Sequence, residues 1–328
     1  MGDSTWEPRD LAAAWDGEQI PPPSLGRLEC GNGLFYRGRI NGVHGEPESG
    51  KSWLCWITVA QTLIEGGKAL YLDYEDSEHG AAERLNALGV WRQTALSDRF
   101  GYIRPEEPLS LGNASNDWKT LLAKGWDVVI VDSTNESMIM EGLDPNDNRD
   151  AGVFTRRLVR PIVEAQSAAV LSDHVAKNRD TRGTWALGAQ QKRAMIRGAS
   201  YSVERLRPFG RGLEGEAILR VAKDTPGAIR QRTGGDSTVA RLVLTSDGLT
   251  GRIQYHLAAP PTPHALVLDK IRAYLVVNPG ASKRALRDLS NSDLIDELVA
   301  KCVDEGRIKV EVTGTMHAHF WIEQGIDG

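Results

Sequence analysis

The sequence predicts an α/β protein whose core holds a mainly parallel sheet, followed by a small C-terminal winged-helix domain. Three observations carry this expectation. Short, continuous apolar runs alternate with helical patterns from Arg39 onward, and such runs suit strands covered by helices on both faces. A glycine-rich stretch, Gly45–Ser52, separates the first of these strands from the helix after it. Beyond a proline-rich stretch at Ala258–Pro263, three helical patterns and a hairpin pattern complete the chain.

The elements follow in order. Ile20-Pro-Pro-Pro-Ser24 ends an N-terminal arm or linker over residues 1–24, because consecutive prolines favour extended connections. Ile40–His44 reads as a strand. Ser52–Glu65 reads as a helix, with Trp53, Trp56, Ile57, Ala60 and Ile64 on one face and Gly66-Gly67 as its stop. Ala69–Asp73 is a second strand. Asp127–Asp132 and Ala168–Ser172 are apolar runs that end in polar residues. After about residue 200, Ala217–Ala222, Ala240–Thr245 and Gly251–His256 read as strands joined by short turns, with Asp247-Gly248 as a turn signal. The core domain is expected at 25–257, a linker at 258–263 and the winged-helix unit at 264–328. In that last unit, Ala265–Val277, Ser282–Leu289 and Ser292–Glu305 read as helices, with Ser282 as an N-cap. Arg307–Val312 and His317–Ile322 read as a hairpin.

Composition bounds the function. At 41% hydrophobic and 25% charged, the chain has the makeup of a globular protein. No apolar run reaches the length of a membrane helix, and Met1–Trp15 lacks the apolar centre of a signal peptide. A cytoplasmic protein is therefore expected. Cys30, Cys55 and Cys302 are odd in number and far apart, which argues against a disulfide framework or a zinc site. The net charge of −5 argues against a generic nucleic-acid binder. Its distribution says more: residues 1–150 carry −12, whereas residues 151–234 carry +9. Positive charge focused in one segment is how a basic patch looks in a sequence.

The chemistry centres on Gly45, Glu46, Pro47, Glu48, Ser49, Gly50, Lys51 and Ser52, which fit G-x-x-x-x-G-K-[ST]. Glycines let a loop wrap phosphate oxygens closely, so that backbone N–H groups point inward. The start of the following helix adds the positive end of a dipole. Lys51 would reach the β- and γ-phosphates of ATP, and the Ser52 hydroxyl would ligate Mg2+. Asp132, at the end of an apolar strand, would supply the carboxylate beside the magnesium. Hydrolysis also needs a group that orients or activates water. Tyr71-Leu-Asp-Tyr-Glu75-Asp76 offers three carboxylates; Glu75 is the first choice, with Asp73 and Asp76 as competitors. His174, after the apolar run Ala168–Ser172, would sit at the same sheet edge and sense the γ-phosphate.

Four features in this order, Gly45–Ser52, Glu75 two residues past Asp73, Asp132 before Ser133-Thr134, and Asp173-His174, resemble the RecA-like P-loop ATPases. The resemblance covers roughly residues 25–235. It is greatest to the RepA and DnaB-type hexameric helicases, in particular the RepA-like ATPases of phages and mobile elements. It implies a catalytic glutamate at Glu75, a magnesium-organising Asp132 and a sensor at His174. It also implies a homo-oligomer, a hexameric ring or a filament, whose sites are completed by a basic finger from a neighbour. Relatives carry Lys-x-Arg there; Lys223-Asp-Thr225 keeps only the lysine. Lys223 is therefore the candidate, with Arg220 and Arg230 as substitutes. Single-stranded DNA contacts would come from the Ala176–Gly198 segment, through Lys177, Arg179, Arg182, Lys192 and Arg193, with Trp185 able to stack a base. The C-terminal unit resembles a winged helix. Its third helix carries Asp293, Asp296, Glu297, Asp304 and Glu305 against Lys301, which favours docking a protein partner over DNA.

The resulting expectation is a DNA-stimulated ATPase, foremost a RepA-like replicative helicase or translocase in a bacterial host. The alternatives are a RecA-like recombination or annealing ATPase that forms filaments, a KaiC-like regulatory ATPase acting on a protein, and a nucleotide-gated adaptor with negligible turnover.

Overall fold

The computed structural model describes residues 11–15, 20–174, 190–233, 236–260, 263–313 and 316–322. The chain divides into two compact units, Met1–Ala259 and Pro260–Gly328.

Among its described residues the first unit contains nine strands: β1 (Ile40–Gly45), β2 (Ala69–Asp73), β3 (Phe100–Ile103), β4 (Val128–Asp132), β5 (Ala168–His174), β6 (Ala199–Arg207), β7 (Glu214–Asp224), β8 (Thr238–Ser246) and β9 (Ile253–Ala258). Between and before them run α1 (Ala12–Trp15), α2 (Lys51–Ile64), α3 (Glu78–Ala87), α4 (Arg92–Ala95), α5 (Ala114–Leu122), α6 (Thr134–Met140), α7 (Asn148–Phe154), α8 (Arg160–Glu164) and α9 (Gln190–Met195). A π-helical turn at Thr155–Val159 joins α7 to α8.

All nine strands form one sheet, in the order β3-β2-β4-β5-β1-β6-β7-β8-β9. Pairing is parallel from β3 through β6 and antiparallel from β6 to β9. Alternate residues of the central strands enter two separate cores. Tyr71, Val128, Ile130 and Val170 pack on one face; Leu70, Leu72, Val129, Val131 and Leu171 pack on the other. Both faces are dry, which explains why these strands read as unbroken apolar runs. On the first face Trp56 of α2 stacks on Tyr71, with ring centroids 3.9 Å apart and planes 8° from parallel.

Register brings the polar strand ends level. Asp73 pairs with Asp132, His44 with Asp173, and Gly45 with both His174 and Val203. One carboxyl edge of the sheet therefore gathers the residues that follow each apolar run.

The second unit consists of α10 (Pro263–Val277), β10 (Ala281–Ser282), α11 (Lys283–Arg287), α12 (Ser292–Asp304), β11 (Ile308–Thr313) and β12 (Met316–Trp321). Its three strands are ordered β10-β12-β11 and run antiparallel. Ile271, Leu275, Leu286, Ile295, Leu298 and Cys302 are among the residues of its separate core. Ser282 caps α11 by accepting from the Ala285 N–H. Among the described residues, no helix of the chain is long and apolar enough to cross a membrane.

Candidate active site

The Gly45–Ser52 loop leaves β1 and turns straight into α2. Two residues make the turn possible. Glu48 has φ 59° and Gly50 has φ 101°, both left-handed, and such alternation turns successive N–H groups toward one centre. Gly50 is also crowded: a Cβ there would lie 2.8 Å from the Phe209 ring. A Cβ on Gly45 would lie 2.5 Å from the Val203 carbonyl oxygen and 2.6 Å from Ser49 Oγ. Gly45 is thus required by space, and Gly50 by space as well as by backbone freedom.

Lys51 opens α2 and is 5% exposed. Its Nζ donates to the carbonyl oxygens of Gly45 at 3.1 Å and Glu46 at 2.8 Å. Burial lowers its pKa, while the nearby Asp132 and Glu75 charges work the other way. Asp132 is 6% exposed and accepts from the Tyr71 hydroxyl at 2.6 Å. Burial raises the Asp132 pKa, and the Tyr71 hydrogen bond opposes this. Ser52 faces Asp132 closely enough to lower that pKa as well. The peptide bond between Asp132 and Ser133 is cis.

The three acidic candidates after β2 separate by their partners. Asp73 accepts from the N–H groups of Glu75 at 3.0 Å and Asp76 at 2.8 Å, and from the Tyr102 hydroxyl at 3.1 Å. Asp76 pairs with Arg84. Glu75 alone meets His174, whose Nε2 lies 3.3 Å from Glu75 Oε1. This contact is the main reason the Glu75 carboxyl titrates below its ordinary range, against the opposing effect of burial.

The site suits a magnesium nucleotide. Ser49 Oγ is buried and has no hydrogen-bond partner among the described residues, while Ser133 lies against Glu75 and Ser172 against Asp132, so polar atoms lie around the loop and the ends of β4 and β5. A lysine, a hydroxyl and a buried carboxylate are the donor set that a phosphate chain and Mg2+ require. Beside the loop, a cavity of about 420 Å3 is lined by Trp53, Gly80, Arg84 and Phe209, among others.

A sequence profile described as an AAA domain matches residues 4–180. The chain belongs to the AAA domain family. Among curated proteins, the DNA repair and recombination protein RadB of Methanoculleus marisnigri is 33% identical over 95 residues, or 29% of this chain and 41% of that protein. Protein RecA, chromosomal, of Lactococcus lactis subsp. lactis is 24% identical over 282 residues, covering 86% and 62% of the two chains. Protein RecA of Lactococcus lactis subsp. cremoris is 24% identical over 240 residues, covering 73% and 56%. This AAA domain protein therefore spans between 41% and 62% of the length of these curated relatives. Its core has the RecA-like P-loop architecture.

Other expected site residues of the AAA domain protein fare differently. Lys177, Arg179, Arg182 and Trp185 lie outside the described residues. Lys192 corrects the expectation of a solvated phosphate contact. It is 4% exposed, and its Nζ lies 2.6 Å from Asp173 Oδ2 and 2.7 Å from Asn135 Oδ1. A cation in a basic stretch reads as solvated, and nothing in the spacing announces that Asp173 captures it. Arg193 is exposed on α9. Lys223 lies on β7 and donates to the Arg193 carbonyl oxygen at 2.8 Å, within its own chain. Arg220 pairs with Glu204 at 3.5 Å and Asp236 at 2.7 Å. In the second unit, Lys283 lies 3.3 Å from Asp296, and Arg287 also pairs with Asp296, so much of the basic cluster of α11 is matched by α12.

The sequence places Tyr71 only within a strand. Its hydroxyl donates to Asp132, a contact that no motif spacing signals, since 61 positions separate the two residues.

Proposed function

We propose that this chain binds magnesium ATP at Gly45–Ser52 and hydrolyses it to drive movement along single-stranded DNA, as a RepA-like helicase or translocase. The observation that carries the reading is the convergence of Lys51, Asp132, Glu75 and His174 at one carboxyl edge of the sheet. The loop N–H groups and Lys51 would hold the phosphates, and the cavity lined by Trp53 and Phe209 would take the base. Ser52 and Asp132 would hold Mg2+, which supplies charge neutralisation at the phosphates when bound. Glu75 would take the proton of the attacking water. His174, in contact with Glu75, would orient that carboxylate and sense the γ-phosphate.

The rest of the reading concerns assembly and domains. Lys223 would act as the finger completing a neighbour's site in a homo-oligomeric ring. Arg193, with Lys177, Arg179 and Arg182, would meet DNA phosphates. The core would occupy 25–257 and a winged-helix unit 264–328, the latter docking a protein partner. The pairing of Lys283 and Arg287 with Asp296 supports protein docking, because bound cations are less available to phosphates.

A second reading is a recombination or annealing ATPase that forms filaments. It is favoured by the names of the relatives, RadB being a DNA repair and recombination protein and the others RecA. The test is the ATP hydrolysis rate with and without single-stranded DNA, followed by forked-duplex unwinding against strand pairing. A rise with DNA together with unwinding is expected. A rate indifferent to DNA contradicts both readings, and strand pairing without unwinding selects the second.

A further inference from the structure

Two tyrosines of the sheet reach carboxylates of the site by the same step. Tyr71 of β2 pairs with Tyr102 of β3 on one side and with Ile130 of β4 on the other. Residues two apart on a strand share a face. Asp132 therefore stands on the face of Ile130, diagonal to Tyr71, and Asp73 stands on the face of Tyr71, diagonal to Tyr102. Long side chains can span such diagonals, and here both are bridged. The Tyr71 hydroxyl donates to Asp132 Oδ2 at 2.6 Å, and the Tyr102 hydroxyl donates to Asp73 Oδ2 at 3.1 Å.

The two bridges end on different parts of the site. Tyr71 and Asp132 are both buried. The Tyr71 ring is itself fixed, because Trp56 stacks on it from α2, the helix that follows the Gly45–Ser52 loop. A close-packed phenol has little room to move, and its hydrogen bond to a carboxylate is charge-assisted and directional. Ser52 also lies against Asp132, so holding Oδ2 sets how the carboxylate faces the start of α2. Asp73 serves another group. Its Oδ1 accepts from the N–H groups of Glu75 at 3.0 Å and Asp76 at 2.8 Å, so Tyr102 bears on the turn that presents Glu75.

We propose that Tyr71 and Tyr102 are positioning residues with separate duties: Tyr71 orients Asp132 toward Mg2+, and Tyr102, through Asp73, places Glu75 for turnover. The proposal rests on the reading of the loop, Asp132 and Glu75 as an ATP site. Removing one hydroxyl then weakens the contribution of magnesium to binding, and removing the other slows turnover with binding intact.

The test uses the full chain as wild type, Tyr71→Phe and Tyr102→Phe. Phenylalanine keeps the ring and its packing and removes the hydroxyl. Calorimetry measures the affinity for a non-hydrolysable ATP analogue, once with Mg2+ and once with EDTA. In Tyr71→Phe the gain in affinity conferred by Mg2+ should shrink about tenfold, as for other groups that orient a metal-binding carboxylate, while the affinity in EDTA matches that of the wild type. In Tyr102→Phe both affinities should match the wild type, while kcat at saturating ATP and Mg2+ falls about tenfold through the displaced Glu75. A loosened loop would weaken binding equally in Mg2+ and EDTA, so the split separates orientation from general damage. A magnesium gain unchanged in Tyr71→Phe, or a loss equal in the two conditions, would overturn the role of Tyr71. An unchanged kcat in Tyr102→Phe would overturn that of Tyr102. A wild type that gains nothing from Mg2+ would overturn the ATP-site reading and this proposal with it.

Discussion

Lys51 and Glu75 are expected to act at different steps, and substitutions should separate them. Lys51→Ala removes the buried cation that touches Gly45 and Glu46, so ATP affinity should fall by at least tenfold in calorimetric titration. Glu75→Gln keeps the shape and removes the base. It should bind ATP within a few-fold of the wild type while turnover drops by about 10²- to 10⁴-fold. The pH dependence follows from the direction of the Glu75 shift. His174 holds that carboxyl below its ordinary value, which is about 4.3, so Glu75 stays ionised as pH falls until that lowered pKa is reached. Removing the partner with His174→Ala should therefore move the acid limb of the kcat profile to higher pH; an acid limb that stays put would detach His174 from Glu75. At this scale the loop, Asp132 and the set of acidic candidates were legible, because phosphate and magnesium chemistry demands those residue types at near-fixed spacing. The choice among Asp73, Glu75 and Asp76 was not fully legible, since it depends on a contact between residues 99 positions apart.

At the scale of elements, legibility tracked burial. β4 and β5 are dry on both faces and read as continuous apolar runs, whereas β1, INGVHG, read as a strand beside the glycine loop. β3 escaped notice because it is a four-residue, half-buried edge strand. β6 escaped because its sequence ASYSVERLR ends in exposed, charged residues, although it lies parallel to β1 and sets Val203 against Gly45. The α9 helix was hidden in what read as one basic loop. Its Lys192 is fastened to Asp173 at the end of β5, where burial raises the Asp173 pKa and the lysine opposes that rise. Breaking one partner of a buried pair strands the other charge. Lys192→Met should cost about 3–5 kcal/mol in denaturant unfolding, and pairing it with Asp173→Asn should recover most of the loss. A Lys192→Met chain as stable as the wild type would mean that this lysine is solvated after all.

For the molecule as a whole, the charge contrast between residues 1–150 and 151–234 was legible, since charge blocks need no tertiary knowledge. Assembly is a different matter: Lys223 donates within its own chain, and the proposed finger role requires that it also reach a neighbouring copy. Mixing inactive Lys223→Ala with inactive Lys51→Ala should partly restore hydrolysis, because some interfaces then join an intact loop to an intact finger. No recovery at any mixing ratio would place the finger elsewhere.

The central claim is that main-chain amides at 45–52, Lys51 and the Asp132 carboxylate form one ATP site served by Glu75. Steady-state ATP hydrolysis in the presence of Mg2+, comparing the wild type with Glu75→Gln and Lys51→Ala, tests it most directly. The account predicts turnover by the wild type that both substitutions abolish. Wild-type turnover that survives in Glu75→Gln and Lys51→Ala would contradict it.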